Sequence, residues 1–208
     1  MELPPDVLQE VGRRAKGAIR QRMRALRRAL PTGARALRSE LICQMLQATP
    51  EFDAARSIAL FAPLPDEVDV SGLDLLARSQ EKAVYYPFMD PAPNGFVTGF
   101  RRVDSVSDLS LRGRKFLEPP RDAPVAERGD VDLVVVPALA LSATGQRLGQ
   151  GSGFYDVTLP DVCPPALALG VVFDFQMLAE LPAEGHDQPV DVVLTDRRVL
   201  RPVSVSSP

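Results

Sequence analysis

At 208 residues, with 45% hydrophobic and 25% charged side chains, the chain has the make-up of one soluble globular domain with a proper buried core. A formal net charge of -3 gives no overall pull toward nucleic acid or an anionic membrane, and the longest apolar run, 166–173, is too short to span a bilayer. The start Met1-Glu2-Leu3-Pro4-Pro5-Asp6 lacks the basic and apolar parts of a secretory signal, and Cys43 and Cys163 fall in no metal or redox spacing, so a reducing, cytoplasmic setting is expected.

From about residue 10 to 30 the pattern predicts a helix stopped by Pro31, with Ile19, Met23, Leu26 and Leu30 on one apolar face. At about 100° per residue, Arg13, Lys16, Arg20, Arg24 and Arg27 share the sector beside that face. Such a ridge suits a neighbouring phosphate, a solvated basic face or a nucleic acid, and spacing alone leaves the three open. A second helix follows, with Thr32 as cap and Leu37, Leu41 and Met45 on its buried side.

Residues 57–62 read as a strand ended by Pro63, and 71–79 as a helix with Ser71 and Asp74 at capping-box spacing. Between them Asp66-Glu67-Val68 offers carboxylates that are either turn residues or acceptors for the N–H groups of a heterocycle. Residues 83–86 form a second strand, also ended by proline, 96–103 a third, and 104–130 an irregular polar stretch. Apolar strands at 131–136, 167–172 and 190–194 complete the set, with helices expected near 153–159 and 174–181. Apolar strands alternating with helices indicate an α/β domain: a mostly parallel sheet covered on both faces, with a helical N-terminal arm.

After the 131–136 strand comes Gly145-Gln146-Arg147-Leu148-Gly149-Gln150-Gly151-Ser152-Gly153-Phe154-Tyr155-Asp156. Glycines at 149, 151 and 153 allow backbone N–H groups to approach a ligand, and phosphate suits them if a helix starts where they stop. A tight strand-to-helix turn is the plainer alternative. Asp156 beside an anion makes sense through a bridging cation, and Asp187 joins it only if the two meet across the sheet. His186 is the sole histidine, which excludes a His-cluster metal site within the chain and leaves no compelling nucleophile–histidine system.

Taken in order, Lys16 and Arg20, Asp66-Glu67-Val68, the 145–156 loop, and Leu181-Pro182 with His186-Asp187, Asp191 and Thr195 resemble the 5-formyltetrahydrofolate cyclo-ligase family over nearly the whole chain. The resemblance implies a Rossmann-like, three-layer α/β/α enzyme, monomeric or weakly dimeric, acting on a folate with ATP and Mg2+ and without nucleic acid or membrane. It implies that Lys16 and Arg20 hold ATP phosphates, with Lys16 and Arg147 catalytic. Arg147, Leu148, Gly149, Gln150, Gly151, Ser152, Gly153, Phe154 and Tyr155 would wrap the nucleotide. Ala62, Glu67 and the 150–155 segment would hold the folate, and Asp156 and Asp187 the metal. Gln150, Ser152, Phe154 and Phe88 depart from residues frequent in relatives. A non-catalytic folate- or nucleotide-binding protein of the same fold, or an RNA-binding module using the first helix, are the competing expectations. The reading requires Lys16 and Gly151, distant in the chain, to share one triphosphate pocket.

Overall fold

The computed structural model describes residues 4–93, 95–112, 116–185 and 187–202. The chain runs α1 (Pro5–Ala29), α2 (Thr32–Gln47), α3 (Pro50–Ala54), β1 (Ser57–Ala59), α4 (Ser71–Ser79), β2 (Ala83–Ala92) and β3 (Gly95–Arg102). It continues through β4 (Ser110–Leu111), β5 (Leu117–Glu118), β6 (Leu133–Pro137), β7 (Ala140–Ser142), β8 (Arg147–Leu148) and α5 (Phe154–Val162). The last elements are β9 (Leu167–Val171), β10 (Met177–Leu178), β11 (Val192–Leu194) and β12 (Val199–Leu200).

Seven strands form the main sheet in the order β12-β11-β9-β6-β1-β2-β3. Its inner strands are parallel, and only the outermost, β3 and β12, run antiparallel to their neighbours. β6 is central because four successive apolar side chains can be buried only between two covered faces. Leu133 and Val135 point to one face, where they join Ile42, Phe52 and Leu73 from α2–α4; Val134 and Val136 point to the other, with Phe154, Leu159 and Val162 of α5. The three-layer α/β/α expectation holds.

Several local expectations give way to tertiary neighbours. On α2 the buried residues are Ser39, Ile42 and Leu46, while Leu37 and Leu41 are exposed. The buried face is one residue further round because Ser39 Oγ accepts a bond from Asp69 N and ties the helix to the start of α4. Thr32 is the first helical residue rather than the cap, which is Pro31. Leu26 of α1 is likewise exposed. The Ser71/Asp74 capping box does not form: Ser71 N donates to Asp69 Oδ1, and Asp74 is buried against Arg78 and the Tyr86 hydroxyl. The short α3 was not anticipated; Thr49 caps it by accepting from Phe52 N.

β2 runs past Pro87 to Ala92 instead of ending at the proline. Phe100, opposite Pro87, accepts on its far side from Ala126 N, so the Phe100–Pro87 pair needs no ladder bond and the missing N–H is not required. The helix expected near 174–181 shrinks to one 3-10 turn, Asp174–Gln176, followed by β10. Gln176 causes this: its buried carboxamide donates to Ala138 O and Leu139 O and accepts from Phe173 N, steering the chain alongside β7. The irregular 104–130 stretch holds a 3-10 turn capped by Ser105 and the β4–β5 pair.

β10, β7 and β8 make a second, three-stranded sheet. α1 docks on it: Met23, with Ile19 beside it, packs on Leu139, Ala140 and Leu148. Gly145 in the β7–β8 turn sits at φ +81°, and a Cβ there would lie 2.4 Å from Val190 O. Gly145→Ala is therefore expected to destabilise the fold by about 2 kcal/mol or more. A lower urea midpoint at unchanged m-value would show it, and an unchanged midpoint would refute it.

Arg198 bonds Asp174 and Arg201 bonds Glu51, fastening the β12 segment to the body and holding both carboxyls below their ordinary ranges. A depressed carboxyl stabilises above its unfolded value and loses that effect as pH falls through its folded one. Amide protection at Val199 and Leu200, corrected for intrinsic exchange, is expected to drop between about pH 5 and about pH 2; protection that is flat over that window would contradict it.

Candidate functional site

A cavity of about 1240 Å³ opens beyond the carboxyl ends of β1 and β6, bounded by α1, the 61–67 segment, β2 and the β8–α5 loop. The residues that the resemblance assigns to nucleotide, folate and metal line it: Lys16, Arg20, Ala62, Glu67, Arg147 through Asp156, and Asp187; Val68, Phe88, Leu181, Pro182, Asp191 and Thr195 do not. Lys16 and Gly151, separated by most of the chain, thus share one pocket. His186 lies outside the described residues.

One wall is α1. Lys16, Arg20, Arg24 and Arg27 recur every three or four residues, so the docked helix turns all four toward the cavity. Lys16 is 7% exposed; its Nζ bonds Asp187 Oδ2 at 2.7 Å and Glu184 Oε1 at 3.0 Å. Burial disfavours the ammonium, but hydrogen bonds to Asp187 and Glu184 outweigh it and raise the pKa. Arg27 is 2% exposed and pairs with Asp66 at 3.0 Å, with Glu67 Oε1 3.7 Å away. These two cations are therefore not a solvated face. Arg20 Nε donates to Gly149 O at 3.0 Å, and Arg24 donates to both the backbone and side-chain oxygens of Gln150.

The opposite wall is the glycine loop. A Cβ on Gly149 would stand 3.2 Å from Arg147 Nη1, so glycine lets the loop lie against the guanidinium. Gly151 has φ +108°, and Gly153, at φ +70°, is the N-cap of α5. The helix does begin where the glycines stop, and its first-turn N–H groups, which have no intrahelical partners, border the cavity. Arg147 Nη2 bonds Asp156 Oδ1 at 2.5 Å, whereas Arg147 Nε is buried without a partner, a donor in want of an acceptor. Gln188 N also donates to Asp156 Oδ1. Phe154 uses its ring against Phe100 and Tyr155 in edge-to-face contacts, and burial raises the pKa of the Tyr155 phenol.

Glu67, 7% exposed, accepts from Leu64 N at 3.0 Å through Oε2 and from the Gln150 carboxamide at 3.1 Å through Oε1. The carboxylate thus stands at one end of the cavity with its acceptor edge toward the loop. Sequence reasoning assigned no site role to Arg24, Arg27 or Glu184, and left Asp66 between turn residue and acceptor. Arg24 and Arg27 were visible in the same helical sector as Lys16, and Glu184 in its closeness to Asp187, but nothing in the spacing distinguished them.

Two carboxylates, Asp156 and Asp187, face the same space as the cations. Among the described residues no group of three or more His, Cys, Asp or Glu is assembled as a metal cage. A hard cation could use these two oxygens only together with ligand oxygens and water.

The family model for the 5-formyltetrahydrofolate cyclo-ligase family matches residues 13–196. The chain is similar to the 5-formyltetrahydrofolate cyclo-ligase of Escherichia coli K12, 31% identical over 87% of this chain and 98% of that one. It is 28% identical to the Mus musculus enzyme of that name over 86% and 93%. A stretch of 80 residues is 45% identical to the Mycolicibacterium smegmatis enzyme, covering 38% of this chain and 41% of that one. Among solved structures, the Aquifex aeolicus 5,10-methenyltetrahydrofolate synthetase superposes with a TM-score of 0.78 at 31% identity, over 93% of this chain and 95% of that one. From the cations of α1 to the turn before β12, one pattern accounts for sequence, fold and cavity alike: the chain belongs to the 5-formyltetrahydrofolate cyclo-ligase family.

Proposed function

We propose that this enzyme uses ATP and Mg2+ to cyclise 5-formyltetrahydrofolate to 5,10-methenyltetrahydrofolate, releasing ADP and phosphate. One observation carries the reading: the cations of α1, the glycine loop with the α5 N-terminus, and Glu67 border a single cavity. A triphosphate needs the first two and a pterin the third.

The formyl carbon is a poor electrophile because amide resonance feeds it, and its oxygen leaves badly. Transfer of the γ-phosphoryl group to that oxygen forms a P–O bond, expels ADP and leaves an iminium-like carbon. N10 attacks this carbon and loses its proton, and the C–O bond breaks to release phosphate. Such a sequence asks for positioning and charge neutralisation rather than an acid–base pair, which suits a chain with one histidine.

Lys16 and Arg20 hold the phosphates in this scheme, and the 149–155 backbone wraps them. Arg147, whose guanidinium borders the cavity beside Asp156, places its positive charge at the transferring group, and Glu67 accepts from the pterin N–H groups while Ala62 lines its site. Asp156 and Asp187 supply the oxygen donors that suit Mg2+, which when bound neutralises phosphate charge. Each carboxylate now caps a cation, Asp156 on Arg147 and Asp187 on Lys16, so the donors and the phosphate clamps are held side by side. A cytoplasmic monomer or weak homodimer completes the proposal; the two free cysteines, their thiols pushed up by burial to about 11 for Cys43 and about 12 for Cys163, suit a reducing compartment.

Purified protein mixed with 5-formyltetrahydrofolate, ATP and Mg2+ is expected to develop methenyl absorbance; its absence with folded protein would end the reading. Asp156→Asn, whose amide oxygen can still accept from Arg147, is expected to lower kcat about a hundredfold under conditions where urea titration shows the variant fully folded, and unaltered kinetics would remove its metal role. Arg20→Ala, which deletes a cation bonded to a loop carbonyl, is expected to raise KM for ATP about tenfold while the folate KM stays close to its starting value. Equal effects on both substrates would overturn that assignment.

A further inference from the structure

Gln150 is the point at which the glycine loop reaches both the α1 wall and Glu67. Its side chain lies between Arg24 and Glu67: Arg24 Nε donates to its carboxamide oxygen at 3.1 Å, and its carboxamide nitrogen donates to Glu67 Oε1 at 3.1 Å. The backbone oxygen of the same residue accepts from Arg24 Nη2 at 2.9 Å. Gln150 is exposed, whereas Glu67 is 7% exposed, so the carboxamide reaches inward from the mouth. Glu67 has its other oxygen on Leu64 N, and Arg27 takes its closer contact from Asp66. Oε1, which Arg27 Nη1 approaches at 3.7 Å, is the carboxylate oxygen turned toward the loop, and a neutral N–H already bonds it.

A primary carboxamide presents to a carboxylate the same kind of donor as an amino-substituted heterocycle. We infer that Gln150 is a positioning residue: its carboxamide stands in for the substrate's N–H groups at Glu67, and the heterocycle of the folate binds by displacing it. This rests on the folate reading above. The exchange keeps the buried carboxylate satisfied in both states, which is why a donor side chain serves at this position. It also ties the two ends of the cavity together. Displaced from Glu67, Gln150 stays bonded to Arg24 on the α1 wall, so arrival of the heterocycle releases the glycine loop from the pterin end and leaves it on the cations that face the phosphates.

The test is calorimetric titration of the full chain with 5-formyltetrahydrofolate, without nucleotide, for wild type, Gln150→Ala and Gln150→Met. Removing the competing donor is expected to tighten folate binding about fivefold in both variants, with urea midpoints unchanged. A merely structural role could not produce tighter binding. Tightening in Gln150→Ala alone would mean that bulk rather than the N–H bond blocks the site, and would overturn the inference, as would equal or weaker binding in both. Wild-type protein that binds no folate would overturn the folate reading itself, an outcome distinct from wild-type binding that the variants fail to improve.

Discussion

The docking of α1 on the small β10-β7-β8 sheet is the constraint on which the cavity depends. Met23 is 1% exposed against Leu139, Ala140 and Leu148, a contact whose burial contributes about 2 kcal/mol. It fixes the rotation of the helix as well as its position. With Met23 inward, Lys16 and Arg27 one or two turns away are buried too, and Arg20 and Arg24 fall between them against the loop. The small sheet supplies Arg147 from β8 and leads directly into the glycines. One apolar contact thus sets the distance between the two cationic walls.

Each buried cation of the cavity has a carboxylate partner: Lys16 has Asp187 and Glu184, Arg147 has Asp156, and Arg27 has Asp66 with Glu67 further off. Buried cations need such partners, since an unpaired one would be expensive to desolvate. The pairing also holds long side chains in place before a ligand arrives, so that little reorganisation is left for the chemical step. Arg20 and Arg24 differ in bonding to carbonyl oxygens of the loop, which orders the backbone while keeping their positive charge.

The layers were legible because their signal is local. The apolar run in β6 has no place except mid-sheet, and glycines at alternate positions have few uses other than a close backbone approach. What escaped was decided by partners far along the chain. Helix α2 offered Leu37 and Leu41 as its richest stripe, but Ser39 meets Asp69 and turns another face inward. Pro87 reads as a strand end until Phe100 is seen to bond on its other side. Gln176 looks like an ordinary helical residue, yet its carboxamide serves three backbone groups of its neighbours. In the site, the meeting of Arg20 with Gly149, 129 positions apart, follows from no spacing rule and came from the resemblance alone. Arg24, Gln150 and Glu67 form a chain of contacts that no single segment reveals.

The outer margin of β3 has a bearing on how the protein behaves in a crowded solution. Ala126 N donates to Phe100 O and Arg102 N to Pro124 O, with a bridge between Arg101 and Val125. An unguarded margin of this kind offers a ladder of free donors and acceptors onto which another polypeptide can zip. Here the chain lays residues 124–126 along the 100–102 end of that ladder, and Pro124 contributes no N–H to extend it. That end of the hairpin, the one nearer the body of the sheet, is thereby closed to recruiting strangers.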